Sequence, residues 1–354
     1  MADITPILIE QVRHAAAESQ PVVIRGGGSK DFMGRATDST LPVVDLSGHS
    51  GIVSYQPVEL VVTVRAGTTL KELESVLDEH GQVLAFDPPK FNDNSTIAGT
   101  LACNQSGPGR PWSGSVRDHV LGVSLINGSG EHLRFGGQVM KNVAGFDVSR
   151  LQAGAMGTLG VMTEISLKVL PKPVCIRTLC WDLPASDALT MMNSLAGQPK
   201  PVSAACWYQG ILYVRLSGAQ SAVDATVVQW QKLGGTVTDA DLFWQNLRDC
   251  RLQGMDVPPL WRMSVNSEKP LPTDVESIID WGGAQRWLTG NHDSEILQAS
   301  ATTANGQVVK FRGGDRSAEV FHPVPAPLQQ VQKRIKAAFD PQGIFNPGRV
   351  YSWL

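Results

Sequence analysis

The sequence predicts mixed α/β and α+β structure in at least two domains, and three observations carry that expectation. Strands, short loops and capped helices alternate over the first 80 residues, the pattern of small α/β units. Pro171-Lys172-Pro173 is the sharpest domain boundary in the chain. Beyond it the texture changes: seven of the nine tryptophans fall between 181 and 287, and the glycine clusters thin out.

Each element has a local reason. Residues 4–18 place Ile7, Leu8, Val12 and Ala15 at helical spacing. Pro21 through Ile24 is a β-branched run of strand type, and a second strand, 41–44, ends at Asp45. Residues 60–65 predict a third strand. Thr69-Leu70-Lys71-Glu72 is a capping box opening a helix with Leu70, Leu73, Val76 and Leu77 on one face, stopped by Gly81. Residues 119–135 predict a hairpin turning at Asn127-Gly128-Ser129-Gly130, and Ile165–Leu170 a further strand. The remainder reads as strand 174–182, helix 185–196, strand 204–217, helix 219–233, helix 241–250, strands 260–265 and 308–312, and a last helix from Pro325 or Pro327.

Composition excludes several functions. With 354 residues, 42% apolar and 18% charged, the chain can bury two cores. A net charge of −3 without basic runs leaves no footprint for nucleic acid. No apolar segment approaches the roughly 20 residues that span a bilayer, so no direct membrane insertion is expected. The start, Met-Ala-Asp-Ile-Thr-Pro, lacks the features of a signal peptide, and a cytosolic location is expected. Five cysteines without Cys-x-x-Cys spacing point away from disulfide, zinc and iron–sulfur frameworks.

The chemistry centres on Arg25-Gly26-Gly27-Gly28-Ser29, directly after the first strand. Consecutive N–H groups in a glycine turn form an anion nest, and a diphosphate suits it. A tight surface turn is the other reading. A Rossmann fingerprint does not fit, because Asp31 stands where the third glycine belongs and no helical period follows. Walker A fails for want of Gly-Lys-Ser/Thr. A second strip, Ser95-Thr96-Ile97-Ala98-Gly99-Thr100 with Ala102, Cys103, Asn104 and Gly107, mixes small residues with hydroxyls. Such a backbone can lie flat against something large and planar, with Thr96, Thr100 and Asn104 free to hydrogen-bond it. A small-residue helix packed on a sheet is the alternative. The seven histidines, at 14, 49, 80, 119, 132, 292 and 322, form no pair at ligand spacing, so no metal site is expected and no catalytic base is assigned. Arg312 reads as a structural ion-pair partner, Cys103 as a small buried residue, and the tryptophans as core and subunit interface.

Taken together, the Arg-Gly-Gly-Gly-Ser turn, Ser95–Ala102, Gly154–Thr163 and the terminal Phe-Asn-Pro-Gly-Arg resemble FAD-binding domains of the vanillyl-alcohol oxidase/p-cresol methylhydroxylase (PCMH) type. Residues 139–171, with 141–164 the most specific, and the tryptophan-rich remainder resemble more narrowly the E-subunit family of bacterial glycolate oxidases. The resemblance spans essentially the whole chain. It implies a two-subdomain FAD domain over 1–172, a cap over 173–322 and a segment, 323–354, returning to the FAD domain. Arg25 to Ser29 would cradle the pyrophosphate, and Ser95 to Thr100 would run along it, with Cys103, Asn104 and Gly107 nearby. Gly157, Gly160 and Val161 would approach the adenosine or ribityl side, and Asn346 and Arg349 the ring end. Some relatives link FAD through a histidine after the first glycine pair; Gly28 holds that place here, which implies non-covalent FAD. Partners would be a catalytic flavin subunit and an iron–sulfur subunit of a glycolate dehydrogenase, with any membrane association made through them. The role would be electron transfer or assembly. Related 2-hydroxy-acid dehydrogenases carry a His-containing Gly-Asp-Gly-Asn segment that is missing here; Gly313-Gly314-Asp315-Arg316 is the nearest string. A self-sufficient oxidoreductase and a subunit that has lost its flavin remain as alternatives. Under the first two readings Gly27→Val should obstruct the phosphates.

Overall fold

The computed structural model describes residues 3–137, 147–269 and 277–354. The chain falls into two compact units. The first contains residues up to Gln105, Ser115–Pro171 and Asp315–Leu354; the second contains Ser106–Gly114 and Lys172–Gly314. The second unit thus ends at 314, short of the expected 322, and takes in a nine-residue excursion around 110. Residues 141–146 of the stretch most specific to the family lie outside the described residues.

In the first unit, a five-stranded antiparallel sheet runs in the spatial order Ile52–Gln56, Val61–Arg65, Val161–Lys168, Val120–Ile126, His132–Gly136. On its central strands Val62, Val64, Ile165 and Leu167 share one face and are all buried in the core, while the opposite face carries Thr63 and Ser166, buried and hydrogen-bonded to each other at 2.9 Å. The helix Leu70–Asp78 contributes Leu70, Leu73 and Leu77 to the same core, with Thr69 Oγ1 accepting from the Glu72 N–H at 3.1 Å. A separate parallel pair joins Val23–Arg25 to Val43–Asp45, with Arg25 opposite Asp45. The tail flanks it: Phe345 forms a parallel bridge with Val22, after the helix Ala326–Phe339.

The structure decides one local reading and differs from two others. The strip after Ser95 is the helix Ile97–Ala102, capped by Thr96, which is the alternative reading of its small residues. Residues 204–217 form two strands, Val202–Tyr208 and Ile211–Gly218, turning at Gln209 (φ 48°) and Gly210 (φ 84°), a turn suited to the twist of a hairpin. The strand Ile52–Gln56 and the helix Ser294–Thr303 carried too weak a signal to be read.

The second unit is built on an eight-stranded sheet with helices Ala185–Ala196 and Gln220–Gln231 packed on its core. Five of its tryptophans are fasteners. The indole N–H of Trp181, Trp207, Trp244 and Trp261 donates to Leu233 O, Leu183 O, Thr178 Oγ1 and Gly290 O, respectively. Trp281 donates to Gly107 O at 3.0 Å, and Arg110 lies over its ring at 4.5 Å, which explains why 106–114 belongs to this unit.

Candidate cofactor site

The parallel pair delivers the chain to the glycine turn. Gly27 admits no side chain, since a Cβ there would stand 1.6 Å from Asn94 O. Gly28 turns the chain through φ +70°. Among the described residues, none of the N–H groups of Gly26, Gly27, Gly28, Ser29 and Lys30 is taken by a protein acceptor. Consecutive open donors of this kind form an anion-binding concavity. All five residues line one cavity. Arg25 stands at its edge, paired with Asp31 at 2.5 Å; both side chains are half exposed, so the pair positions more than it stabilises.

The turn brings together most of the expected residues. Arg25, Gly26, Gly27, Gly28, Ser29, Thr96, Ala98, Gly99, Cys103, Gly157, Gly160, Asn346 and Arg349 all line this cavity. Six do not. Ile97 and Val161 are buried in the core, and Ser95 and Thr100 are buried beneath the helix start. Asn104 is exposed at φ +48°, and Gly107 lies in the other unit.

The proposed hydrogen-bonding role of the second strip needs correction. The Ile97 and Ala98 N–H groups donate to Thr68 O and Ala66 O, and Gly99 N–H to Thr96 Oγ1. Thr100 Oγ1 donates to Thr96 O at 2.9 Å. The N–H groups of Ile97, Ala98 and Gly99 and the Thr100 hydroxyl are thus spent on the strip's own fold, and the Thr96 hydroxyl proton is not. What it offers is a low wall of Ala98, Gly99 and Ala102, continued by Ile24, Leu46, Met156 and Met162.

Asn346 is a clamp. Its Oδ1 accepts from Ile24 N–H at 2.8 Å and its Nδ2 donates to Met156 O at 2.6 Å, and a Cβ on Gly157 would crowd that Nδ2. Arg349 likewise donates to Arg35 O and Asp31 O, holding the turn's far side. Burial lowers its pKa, against the favourable Cys103 and Asp31.

Sequence reasoning missed Lys30. Its side chain is 7% exposed, lines the cavity and donates to Ser29 Oγ at 3.2 Å. Burial pulls its pKa from 10.5 down to about 8. The lysine directly follows the glycine nest, but nothing in the local pattern says that it folds inward.

The histidines sit in the frame. His49 Nδ1 accepts from the Ile4 N–H, His132 bonds Thr163, His292 bonds Thr289 O, and the rings of His80 and His119 pack on Tyr55 and Phe86. No histidine lines the cavity among the described residues. Nor is any helix among them long and apolar enough to cross a membrane.

An open donor set beside a buried ammonium and an apolar wall suits a dinucleotide carrying a large aromatic ring, and comparison with known proteins agrees. Residues 7–136 match a family model described as FAD binding domain. The chain is 15% identical to a solved alkyldihydroxyacetonephosphate synthase, superposing with a TM-score of 0.67 over 96% of this chain and 75% of that one, which shows a shared fold. It is 31% identical to glycolate oxidase subunit GlcD of Bacillus subtilis over 45% of this chain and 34% of that one. Glycolate oxidase subunit GlcE of Escherichia coli K12 is 43% identical over 99% of both chains. At that identity, over nearly its whole length, the chain belongs to the GlcE family of glycolate oxidase subunits and carries that family's FAD-binding domain.

Proposed function

We propose that this chain is the FAD-carrying subunit of an assembly that oxidises glycolate, or a close 2-hydroxy acid, to the oxo acid. The observation that carries the reading is the run of open N–H groups from Gly26 to Lys30, in residues that line one largely apolar cavity, in a chain so similar to a glycolate oxidase subunit. Bound FAD supplies the electron acceptor for such an oxidation. The turn and Lys30 hold its diphosphate, and the wall of Ala98, Gly99 and Ala102 gives its ring a close approach. Gly28 offers no side chain for a covalent link, so the flavin is held non-covalently.

Removing hydride from the carbinol of a 2-hydroxy acid requires a base and a cation for the carboxylate. Apart from Lys30, assigned above to the diphosphate, the charged groups lining the cavity are engaged within the protein. Arg25 and Asp31 pair with each other, and Arg349 is bonded to backbone. That favours a role in electron relay or assembly, with a catalytic flavin subunit and an iron–sulfur subunit as partners, over independent catalysis.

The visible spectrum of the purified chain decides between the readings. Under this proposal it shows bound flavin that stays oxidised when glycolate is added anaerobically and is reduced once the partner subunits are supplied. Bleaching by glycolate alone establishes a self-sufficient enzyme. A colourless protein indifferent to FAD establishes a subunit without flavin.

A further inference from the structure

Among the described residues two lysines are buried in the first unit, and the fold treats them differently. Lys336 Nζ donates to Asp340 Oδ2 at 2.6 Å and to Thr158 O and Phe345 O, each at 2.8 Å. Every ammonium proton has an acceptor, and one of these is a carboxylate. Lys30 has the neutral Ser29 hydroxyl at 3.2 Å and the face of Phe91 at 5.8 Å. Among the described residues no carboxylate stands within ion-pair distance of it, the nearby Asp31 being engaged by Arg25. Taking an ammonium out of water without a counter-charge is among the costliest things a fold can do.

The geometry points to Lys30 as the counter-charge for the diphosphate of the bound dinucleotide, left unpaired by the protein so that the cofactor completes it. This rests on the FAD reading above. Lys30 immediately follows the nest, lines the same cavity, and sits where a Cβ on Gly99 would lie 3.8 Å from its Nζ. The other titratable groups facing the site are the Cys103 thiol, the Arg25–Asp31 pair and Arg349. Cys103 favours the charged lysine but does not overcome the effect of burial.

Two consequences follow. A diphosphate beside Lys30 favours the charged form, so above about pH 8 the flavin-free protein must take up a proton to bind FAD. Removing the charge should relieve the empty protein while harming the loaded one. A lysine kept for stability would do the reverse.

The test is calorimetry on the full chain stripped of flavin, run in two buffers of different ionisation enthalpy. Wild-type protein should take up close to one proton per FAD at pH 9 and almost none at pH 7, a measurement that needs no variant. Lys30→Met should bind FAD roughly 10- to 100-fold more weakly at pH 7, lose the uptake, and melt at a higher temperature than wild type when flavin-free. Lys30→Arg should bind with an affinity level from pH 7 to 10, because a guanidinium stays charged. Adenosine diphosphate should lose affinity for Lys30→Met as FAD does, and riboflavin should not. Loss confined to riboflavin would place the ammonium at the ring and overturn the assignment. So would unchanged FAD affinity in Lys30→Met, or a proton uptake that vanishes in Cys103→Ser. Wild-type protein that binds no FAD at all would instead bring down the functional reading itself.

Discussion

At Gly27 the physical obstacle to a side chain is the protein's own backbone. The missing Cβ would run into Asn94 O, so Gly27→Val disturbs the turn and the loop before Thr96 before it reaches any phosphate. Even Gly27→Ala should cost about 3 kcal/mol or more, and should release flavin as the turn is displaced. Thermal melting and flavin occupancy should fall together; a variant as stable as wild type would contradict the close approach. Asn346 makes a second point at this scale. It is buried, and both ends of its amide are used on backbone groups of two other segments. Asn346→Ala strands the Ile24 N–H and the Met156 carbonyl, an expected loss of about 2–4 kcal/mol on denaturant unfolding. Flavin binding should weaken only as far as the turn loosens, which separates a clamp from a direct ligand.

The last helix and the tail behave as one element, and Lys336 is what joins them. Beyond pairing with Lys336, Asp340 accepts from the Ile344 and Phe345 N–H groups, while Lys336 reaches across to the Thr158 carbonyl. The loop carrying Gly157 and Gly160 is thereby tied to the bridge between Phe345 and Val22, one strand before the glycine turn. Lys336→Met leaves a buried carboxylate without its partner and should cost about 3–5 kcal/mol, read as a lower denaturant midpoint at unchanged slope. The helix Ile97–Ala102 teaches a different lesson. Its small residues suggest both a flat extended strip and a closely packed helix. The helix wins because Thr96 caps it and the Thr68 and Ala66 carbonyls absorb its first N–H groups.

For the whole molecule the two lysines set a pH signature. Burial lowers the pKa of Lys30 to about 8 and also lowers that of Lys336, whose pairing with Asp340 acts in the opposite direction. A lysine whose folded pKa lies below its unfolded value is more protonated in the unfolded chain between the two. Over that range, from about 8 to 10.5 for Lys30, unfolding therefore becomes harder as the pH rises. Lys30 alone should contribute up to about 3 kcal/mol across this window in the flavin-free protein. Saturating FAD should flatten the rise, because the complex keeps Lys30 charged in the folded state. Denaturant titrations at pH 7.5, 8.5 and 9.5, with and without FAD, check this; a flavin-free stability that falls over the interval would refute the sign.

What the sequence determined by itself is what a few neighbouring residues encode. The capped helix after Thr69, the hairpin around Asn127 and the donor-rich turn at Gly26–Gly28 are all of that kind, because caps, turns and apolar period act over a handful of positions. Tertiary structure alone decided who faces whom. Ile24 and Asn346, 322 positions apart, meet in one hydrogen bond. Gly107 leaves the turn's unit because an indole from residue 281 claims its carbonyl. Lys30 looks in sequence like any surface lysine, and becomes a buried cation because distant segments close around it. Burial and partnership belong to the packed chain, and no local pattern carries them.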